Sequence, residues 1–319
     1  MRIRRKTTRC LNCDRTLGEI YNYCPNCGQE NNDHRVSFGT FIGDFFSNYF
    51  SFDSRIGRSL RPLFLQPGFL TNRFNEGKRK QYVHPLRLYL VASLVFFSLL
   101  ALSVRYGIDD VRAGYEDSRS TDSDSTELSA AEKVIANESL TDRQVLDSLR
   151  KTGNLEAPDN WFGERIMGGV RKVKNQGPSW LLTPFINNMP VALLLALPIL
   201  ALMLKLAYYR KKIYYVNHLV HTLHLHSVAL LLFSVWVITE LVLVLFTDTA
   251  PNGNTSFGDY WLDELAAIVL LIYTFFSFLS VYQQRWWITL LKLTVISIVY
   301  IVVLSVAVTI TGLLVFLNF

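Results

Sequence analysis

The chain has 319 residues, 50% of them hydrophobic and only 18% charged, with a formal charge of +6. Ordinary globular domains are nearer a quarter charged, and here the apolar residues gather in long runs, which argues against one large soluble core and for bilayer spans. All four cysteines fall between Cys10 and Cys27, outside the apolar and acidic segments, which argues against an extracellular disulfide framework.

The charge is unevenly placed. Residues 1–85 carry fourteen Lys/Arg against seven Asp/Glu, whereas residues 106–188 carry ten against fourteen. Such asymmetry between flanks of apolar segments reports orientation in a membrane rather than binding to nucleic acid. The N-terminus is basic (Arg2, Arg4, Arg5, Lys6, Arg9), but no apolar core follows it, so no cleaved signal peptide is expected.

Cys10-Leu11-Asn12-Cys13 and Cys24-Pro25-Asn26-Cys27-Gly28 form two CxxC knuckles separated by ten residues. A structural zinc ion needs four soft donors in a tetrahedron, and each CxxC turn supplies two thiolates to one metal. The spacing predicts a zinc ribbon over residues 1–33, with Cys10, Cys13, Cys24 and Cys27 as ligands. A redox dithiol and an iron–sulfur cluster are the alternatives. Gly28 suits the tight turn that closes the second knuckle.

Residues 34–85 read as amphipathic juxtamembrane helices. Phe38, Phe41, Ile42, Phe45, Phe46, Tyr49 and Phe50 recur at the spacing of one helical face. Arg55–Gln66 repeats the pattern with Ile56, Leu60, Leu63 and Phe64, and Pro67-Gly68 ends it. A third short segment, with Phe69, Leu70 and Phe74, leads into Gly77-Lys78-Arg79-Lys80. These apolar faces are expected to lie at the headgroup boundary or against the membrane bundle. Lys78, Arg79 and Lys80 would attract anionic lipid headgroups at about 1 kcal/mol each.

Apolar spans follow at about Leu86–Val104, Met189–Tyr208, Leu225–Phe246, Leu265–Tyr282 and Ile288–Phe316. Each reaches or approaches the roughly 20 helical residues that cross a hydrocarbon core. The predicted class is therefore mainly α: a polytopic membrane protein with five transmembrane helices over residues 86–319, a cytoplasmic ribbon and an external loop at 106–188. Arg210-Lys211-Lys212 joins the second and third spans, Arg285 and Lys292 flank the turn between the fourth and fifth, and Thr247–Trp261 has no Lys or Arg. The positive-inside rule then puts the N-terminus in the cytoplasm and the C-terminus outside. Tyr208, Tyr209, Tyr214, Tyr215, Trp286 and Trp287 fall where an inner aromatic belt is expected.

The external loop begins Ser/Asp-rich (Ser118–Glu127), a composition that does not bury enough apolar surface to order itself. Within it, Thr141–Leu149 is predicted as a short helix capped by Thr141 or Asp142, and Trp161–Val173 as another lying on the membrane surface. Asn137-Glu138-Ser139 and Asn254-Thr255-Ser256 match the glycosylation sequon.

His218, His221, His224 and His226 open the third span. The first three step around one broad side of a helix. The span's only carboxylate, Glu240, stands roughly 20 Å or more along the axis, at about 1.5 Å per residue. That separation disfavours an intramembrane metal centre, which needs converging ligands. Histidines bonding between helices, or handling protons, are the remaining readings. Glu240 lies about a turn and a half inside the outer edge, where a charge is costly and tends to face a polar interior. No HExxH, GxSxG, Walker or dinucleotide motif occurs in the expected context.

With these residues laid out, the chain resembles a bacterial membrane family catalogued as domain of unknown function number 3667. The resemblance rests on the Cys10–Gly28 ribbon, the Phe-rich helix with Phe52-Asp53, Pro67-Gly68, Gly77-Lys78-Arg79, Tyr82 and Pro85. It continues in Tyr215, His218, Leu219, Val220, Leu223, His224 and His226. Family members often have an acidic residue where this chain has Asn217, which further weakens a metal role for the histidines. The resemblance implies a zinc-ribbon head on a multi-span body and brings no established activity.

Taken together, the residues predict a non-enzymatic protein of the cytoplasmic membrane, carrying structural Zn2+ and acting as a docking or sensing platform. Its expected partners are the lipid bilayer, anionic headgroups and an unidentified protein, not nucleic acid. The alternative is a transporter or lipid-handling protein with a polar path near His221 and Glu240.

Overall fold

The computed structural model describes residues 6–31, 38–47, 55–123, 134–135, 137, 139–151, 160–176, 179–247 and 257–318. Within helices, some side chains are also outside the description, among them those of residues 105–123, Glu240 and residues 243–247. Tyr49, Phe50, Phe52, Asp53 and Asn254 lie outside the described residues altogether.

Beyond a ribbon of turns, the described chain is helical: α1 (Phe38–Ser47), α2 (Arg55–Leu65), α3 (Phe69–Asn75), α4 (Pro85–Ser123), α5 (Asp142–Lys151), α6 (Trp161–Gln176), α7 (Ser179–Ala207), α8 (Tyr215–Thr247), α9 (Phe257–Tyr282) and α10 (Trp286–Asn318). Five helices contain stretches long and apolar enough to cross a membrane: Pro85–Val104, Trp180–Ala207, Tyr215–Thr239, Glu264–Tyr282 and Trp286–Leu317. By helix length and composition the protein is a multi-pass membrane protein, mainly α, with an N-terminal cluster of four cysteines.

Two span boundaries differ from the sequence expectation. The second span begins at Trp180 rather than Met189, and the third at Tyr215 rather than Leu225, so the whole histidine run is inside α8. Hydropathy excludes the histidines because their rings are polar, whereas in the fold all four rings are bonded and those of His218, His221 and His224 are buried. A third difference is in α4, which continues to Ser123 although the Ser/Asp-rich composition argued against order there. Adding residues to an existing helix is far cheaper than nucleating one, and no proline interrupts residues 105–123.

The chain divides into two compact units. The first comprises Met1–Phe96, Leu194–Thr239 and Ser256–Val302. Its core joins Leu200, Leu204 and Tyr208 of the α7 end to Phe278 and Tyr282 of α9 and Ile296 of α10. Tyr208 and Tyr282 stack with ring centroids 3.8 Å apart and planes 9° apart. Lys292 donates from Nζ to the Ala207 carbonyl (2.9 Å) and holds its ammonium 4.2 Å above the Tyr208 ring. Tyr208 is thus a core residue and not part of an aromatic belt, whereas Tyr209, Tyr214, Trp286 and Trp287 are exposed.

The juxtamembrane helices are built into this unit. Leu63 of α2 and Leu70 of α3 are buried together with Val83, Leu88 and Val228 of α8. The Pro67-Gly68 turn makes the approach possible. Gly68 has φ +79°, and a Cβ there would stand 2.9 Å from the Ser280 Cβ and 3.0 Å from the Ser277 carbonyl of α9. Any side chain would both strain the backbone and force α3 away from α9. Asn72 of α3 then donates to the Ser280 carbonyl and hydroxyl (3.2 and 3.1 Å), and the Tyr273 hydroxyl of α9 donates to the Leu63 carbonyl (2.6 Å). Phe41 of α1 is buried against Phe74 and His84. Burial depresses the pKa of His84 to about 4, with the nearby Arg79 cation as a second cause.

The second unit comprises Phe97–Leu193, Glu240–Thr255 and Val303–Phe319. Here α5 packs on α6 through Val145, Leu146, Leu149 and Met167. Both helices stand where the sequence predicted them. The start of α5 is a capping box: Gln144 N–H donates to Thr141 Oγ1 (3.3 Å), and Thr141 N–H donates to Gln144 Oε1 (2.9 Å). Arg171 of α6 closes the pair, donating to the Asp142 carboxylate at 2.6 Å and to the carbonyls of Ile135, Asn137 and Leu140.

Along α10 only 6% of the most apolar window is buried, whereas in α8 the share is 44%. The exposed Ile, Val and Leu side chains of α10 suit a hydrocarbon solvent. The most buried membrane helix, α8, is the one carrying the histidines.

Candidate metal centre and buried histidine network

The ribbon is a near-repeat with an offset of fourteen residues, and its hydrogen bonds repeat too. Cys10 N–H donates to the Arg15 carbonyl (2.8 Å) and Cys24 N–H to the Gln29 carbonyl (2.8 Å). Asp14 N–H returns to the Cys10 carbonyl and Gly28 N–H to the Cys24 carbonyl, each at 2.9 Å. Short bridges Arg9–Thr16 and Tyr23–Glu30 close the two halves. The turning residue of each half has positive φ, +59° at Asp14 and +69° at Gly28. The sequence reading found the glycine but not its partner, because aspartate tolerates the left-handed region less conspicuously.

The two knuckles bring all four sulfur atoms within 4.8 Å of one another. Cys10 and Cys27 Sγ are 3.5 Å apart, and Cys13 and Cys24 Sγ 3.6 Å, with every cysteine free. Four thiolates held about 2.3 Å from a tetrahedral zinc ion stand roughly 3.8 Å apart, so the quartet is close to the size that such an ion requires. Among the described residues, no other group of three or more His, Cys, Asp or Glu is placed to hold a metal.

Donors around the sulfurs match thiolate chemistry. The Asn26 side chain bonds Cys13 across the ribbon, and the Asn12 side chain bonds Cys27 in return. Helped by that amide and the Arg15 backbone, the Cys13 thiol is drawn down to about 6. Burial pushes Cys10 up to about 12 and raises Cys27 as well. The asymmetry describes a site in which Cys13 ionises readily and Cys10 and Cys27 only when a cation is held beside them.

Gln29 ties this centre to the segment before α4. Its backbone N–H bonds Cys27, and its carbonyl accepts from Cys24. Its buried side chain donates to the Gly77 carbonyl (2.8 Å) and accepts from the Arg79 N–H (3.3 Å). The ribbon is therefore seated on the turn that carries Lys78, Arg79 and Lys80. That turn is partly engaged already: Lys78 pairs with Glu76 at 3.4 Å, and the Arg79 guanidinium lies 5.6 Å over the Phe74 ring.

Each of the four histidines in α8 is bonded. His218 Nδ1 and His221 Nδ1 both meet the Tyr282 hydroxyl, at 2.9 and 3.3 Å, and His221 Nε2 meets Ser277 Oγ at 3.0 Å. That hydroxyl has one proton, so it donates to one imidazole and accepts from the other. His224 Nδ1 meets Thr71 Oγ1 of α3 at 2.9 Å. His226 donates from Nδ1 to the Thr222 carbonyl, which leaves Nε2 to accept from Tyr300 of α10 at 2.7 Å. One helix thus reaches α3, α9 and α10 through four rings. His218 Nε2 is buried without a partner among the described residues. The Glu240 side chain lies outside the described ones, so its place relative to His221 stays an expectation from sequence.

Sequence reasoning missed Tyr282, Ser277, Thr71, Tyr300 and Gln29. Their partners are 48 to 153 residues away along the chain, and no local spacing announces them. No curated protein and no solved structure matches the chain. The family described as protein of unknown function (DUF3667) matches residues 53–97, which comprise α2, α3, the Gly77–Lys80 turn and the first part of α4. The family resemblance read from the sequence is borne out there: over the segment that seats the ribbon and leads into the first span, the chain is matched by DUF3667.

Proposed function

We propose that the protein is a non-enzymatic docking or sensing platform of the cytoplasmic membrane, whose head is a zinc ribbon facing the cytoplasm. The observation that supports this reading most is the seating of the cysteine quartet. Gln29 joins two cysteine knuckles to the Gly77–Arg79 backbone, so the ribbon is a fixed surface at the entrance to the first span and not a tethered module. Zinc is the metal of choice for four thiolates that hold a small fold together, because it is redox-inert and takes a closed tetrahedron. The arginine- and lysine-rich loops support an N-terminus inside and a C-terminus outside.

In the second reading, transport or lipid handling, the bonded run of Ser277, His221, Tyr282 and His218 is part of a polar path. It is favoured by one observation, the unpartnered Nε2 of buried His218. The two readings separate by co-purification of the full chain with cross-linked proteins. A platform retains a protein partner that is lost when Cys24 and Cys27 are both replaced by Ser, while the chain stays in the membrane. A partner list unchanged by that replacement contradicts the platform reading.

A further inference from the structure

The second unit holds a cavity of about 550 Å³ that the ribbon and the histidines do not touch. One wall is charged: Arg143 of α5 and Glu164, Arg165 and Lys172 of α6 line it. Apolar lining comes from Phe316 and Leu317, at the end of the last membrane span. The volume is within the range of small-molecule sites, about 300–1,000 Å³.

The charges around it do not cancel. Asp142, which also lines the cavity, is held by Arg171 at 2.6 Å. Glu164 faces Arg143 at 3.6 Å. Arg165 and Lys172 are left without a carboxylate partner among the described residues. Arg165 donates from one Nη to the Leu317 carbonyl (3.2 Å), one of the orphan carbonyls at the end of α10, and has four further N–H donors to offer. Lys172 lies 5.4 Å over the Trp180 ring. The cavity thus combines a cationic surplus with apolar surface from the end of the last membrane span. Glycines set that proximity. A Cβ on Gly169 would collide with the Phe316 ring, and one on Gly168 would come 2.9 Å from the Asp142 carboxylate.

At the start of α6, Trp161, which also lines the cavity, is 70% exposed, with Phe162 exposed next to it. An indole presented to the outside next to cations is the arrangement of a helix resting at a headgroup boundary. Position, charge and mixed polarity select one kind of occupant. We propose that this cavity binds an anionic phospholipid, its phosphate between Arg165 and Lys172 and its upper acyl chain along Phe316 and Leu317.

The test is native mass spectrometry of the full chain in a non-ionic detergent, titrated with phosphatidylglycerol or phosphatidylcholine of equal acyl length. Every protein carries Lys78→Gln and Lys80→Gln, so that the other basic turn does not contribute. The expected result is one tightly retained phosphatidylglycerol, with phosphatidylcholine at least tenfold weaker. Arg165→Gln with Lys172→Gln should weaken retention at least tenfold. Glu164→Gln frees Arg143 and should tighten it, a gain that unfolding cannot mimic. Excess inorganic phosphate should leave the lipid in place, because phosphate makes no use of the apolar wall. Equal binding of both lipids, no loss in the double variant, no gain in Glu164→Gln, or displacement by phosphate would each overturn the proposal.

Discussion

Replacing Tyr282 by Phe removes one oxygen atom and with it the shared partner of His218 and His221. The ring itself should stay, since it stacks on Tyr208 at 3.8 Å and also packs against Phe278 at 5.4 Å. Two bonds are lost, at 2.9 and 3.3 Å, and two buried imidazole nitrogens are left without the hydroxyl they shared. Polar ties inside a membrane bundle are worth about 0.6 kcal/mol on average and up to about 1.7. The change should therefore cost about 1–3 kcal/mol, or a fall of roughly 2–6 °C in the melting temperature of the detergent-solubilised chain. Thr71→Val, which removes only the His224 tie, should cost about half as much. In a bilayer these ties carry more of the specificity than apolar contact does, because lipid tails are as apolar as leucine. Melting that is unchanged in Tyr282→Phe would refute the view that the histidines fasten the helices together.

Three further outcomes are expected. Gln29→Ala removes the bonds to Gly77 and Arg79 at a cost of about 1–3 kcal/mol, which should expose the Glu76–Lys80 turn to limited proteolysis while zinc content is kept; equal protection in the variant would contradict the seating. His84 is neutral in the fold with a pKa near 4 and is protonated in the unfolded chain below the usual 6.5, so stability from this group is present at neutral pH and is lost as pH falls from about 6.5 toward 4. That amounts to roughly 2 kcal/mol at pH 5, and His84→Gln should flatten the melting profile between pH 7 and pH 5. In a chain lacking the native cysteines, an impermeant thiol reagent should label a cysteine at position 120 and spare one at position 211 in whole cells; the reverse pattern would overturn the orientation.

The parts of the fold legible in the sequence are those whose cause is local. Two CxxC turns ten residues apart announce their own geometry, five apolar runs announce helices, and of the two caps expected for α5, Thr141 or Asp142, the structure uses Thr141. The parts that were not legible depend on distant partners. His221 reads as polar and hence as a span boundary until Ser277 and Tyr282, 56 and 61 residues on, satisfy it. Gly77-Lys78-Arg79 reads as a basic patch, and nothing nearby shows that Gln29 grips its backbone. Tyr208 reads as a belt residue because it flanks a span, yet the turn after α7 folds it under Lys292 and onto Tyr282. The length of α4 was missed for a different reason: composition reports whether a segment can order itself, not whether a neighbouring helix will extend through it.

The metal in the head is what makes the ribbon a fixed platform. Elemental analysis of the purified full chain should find one zinc per protein, and Cys24→Ser with Cys27→Ser should abolish it while the chain still partitions into the membrane fraction. A wild-type protein without zinc, or a double variant that keeps it, would contradict the assignment.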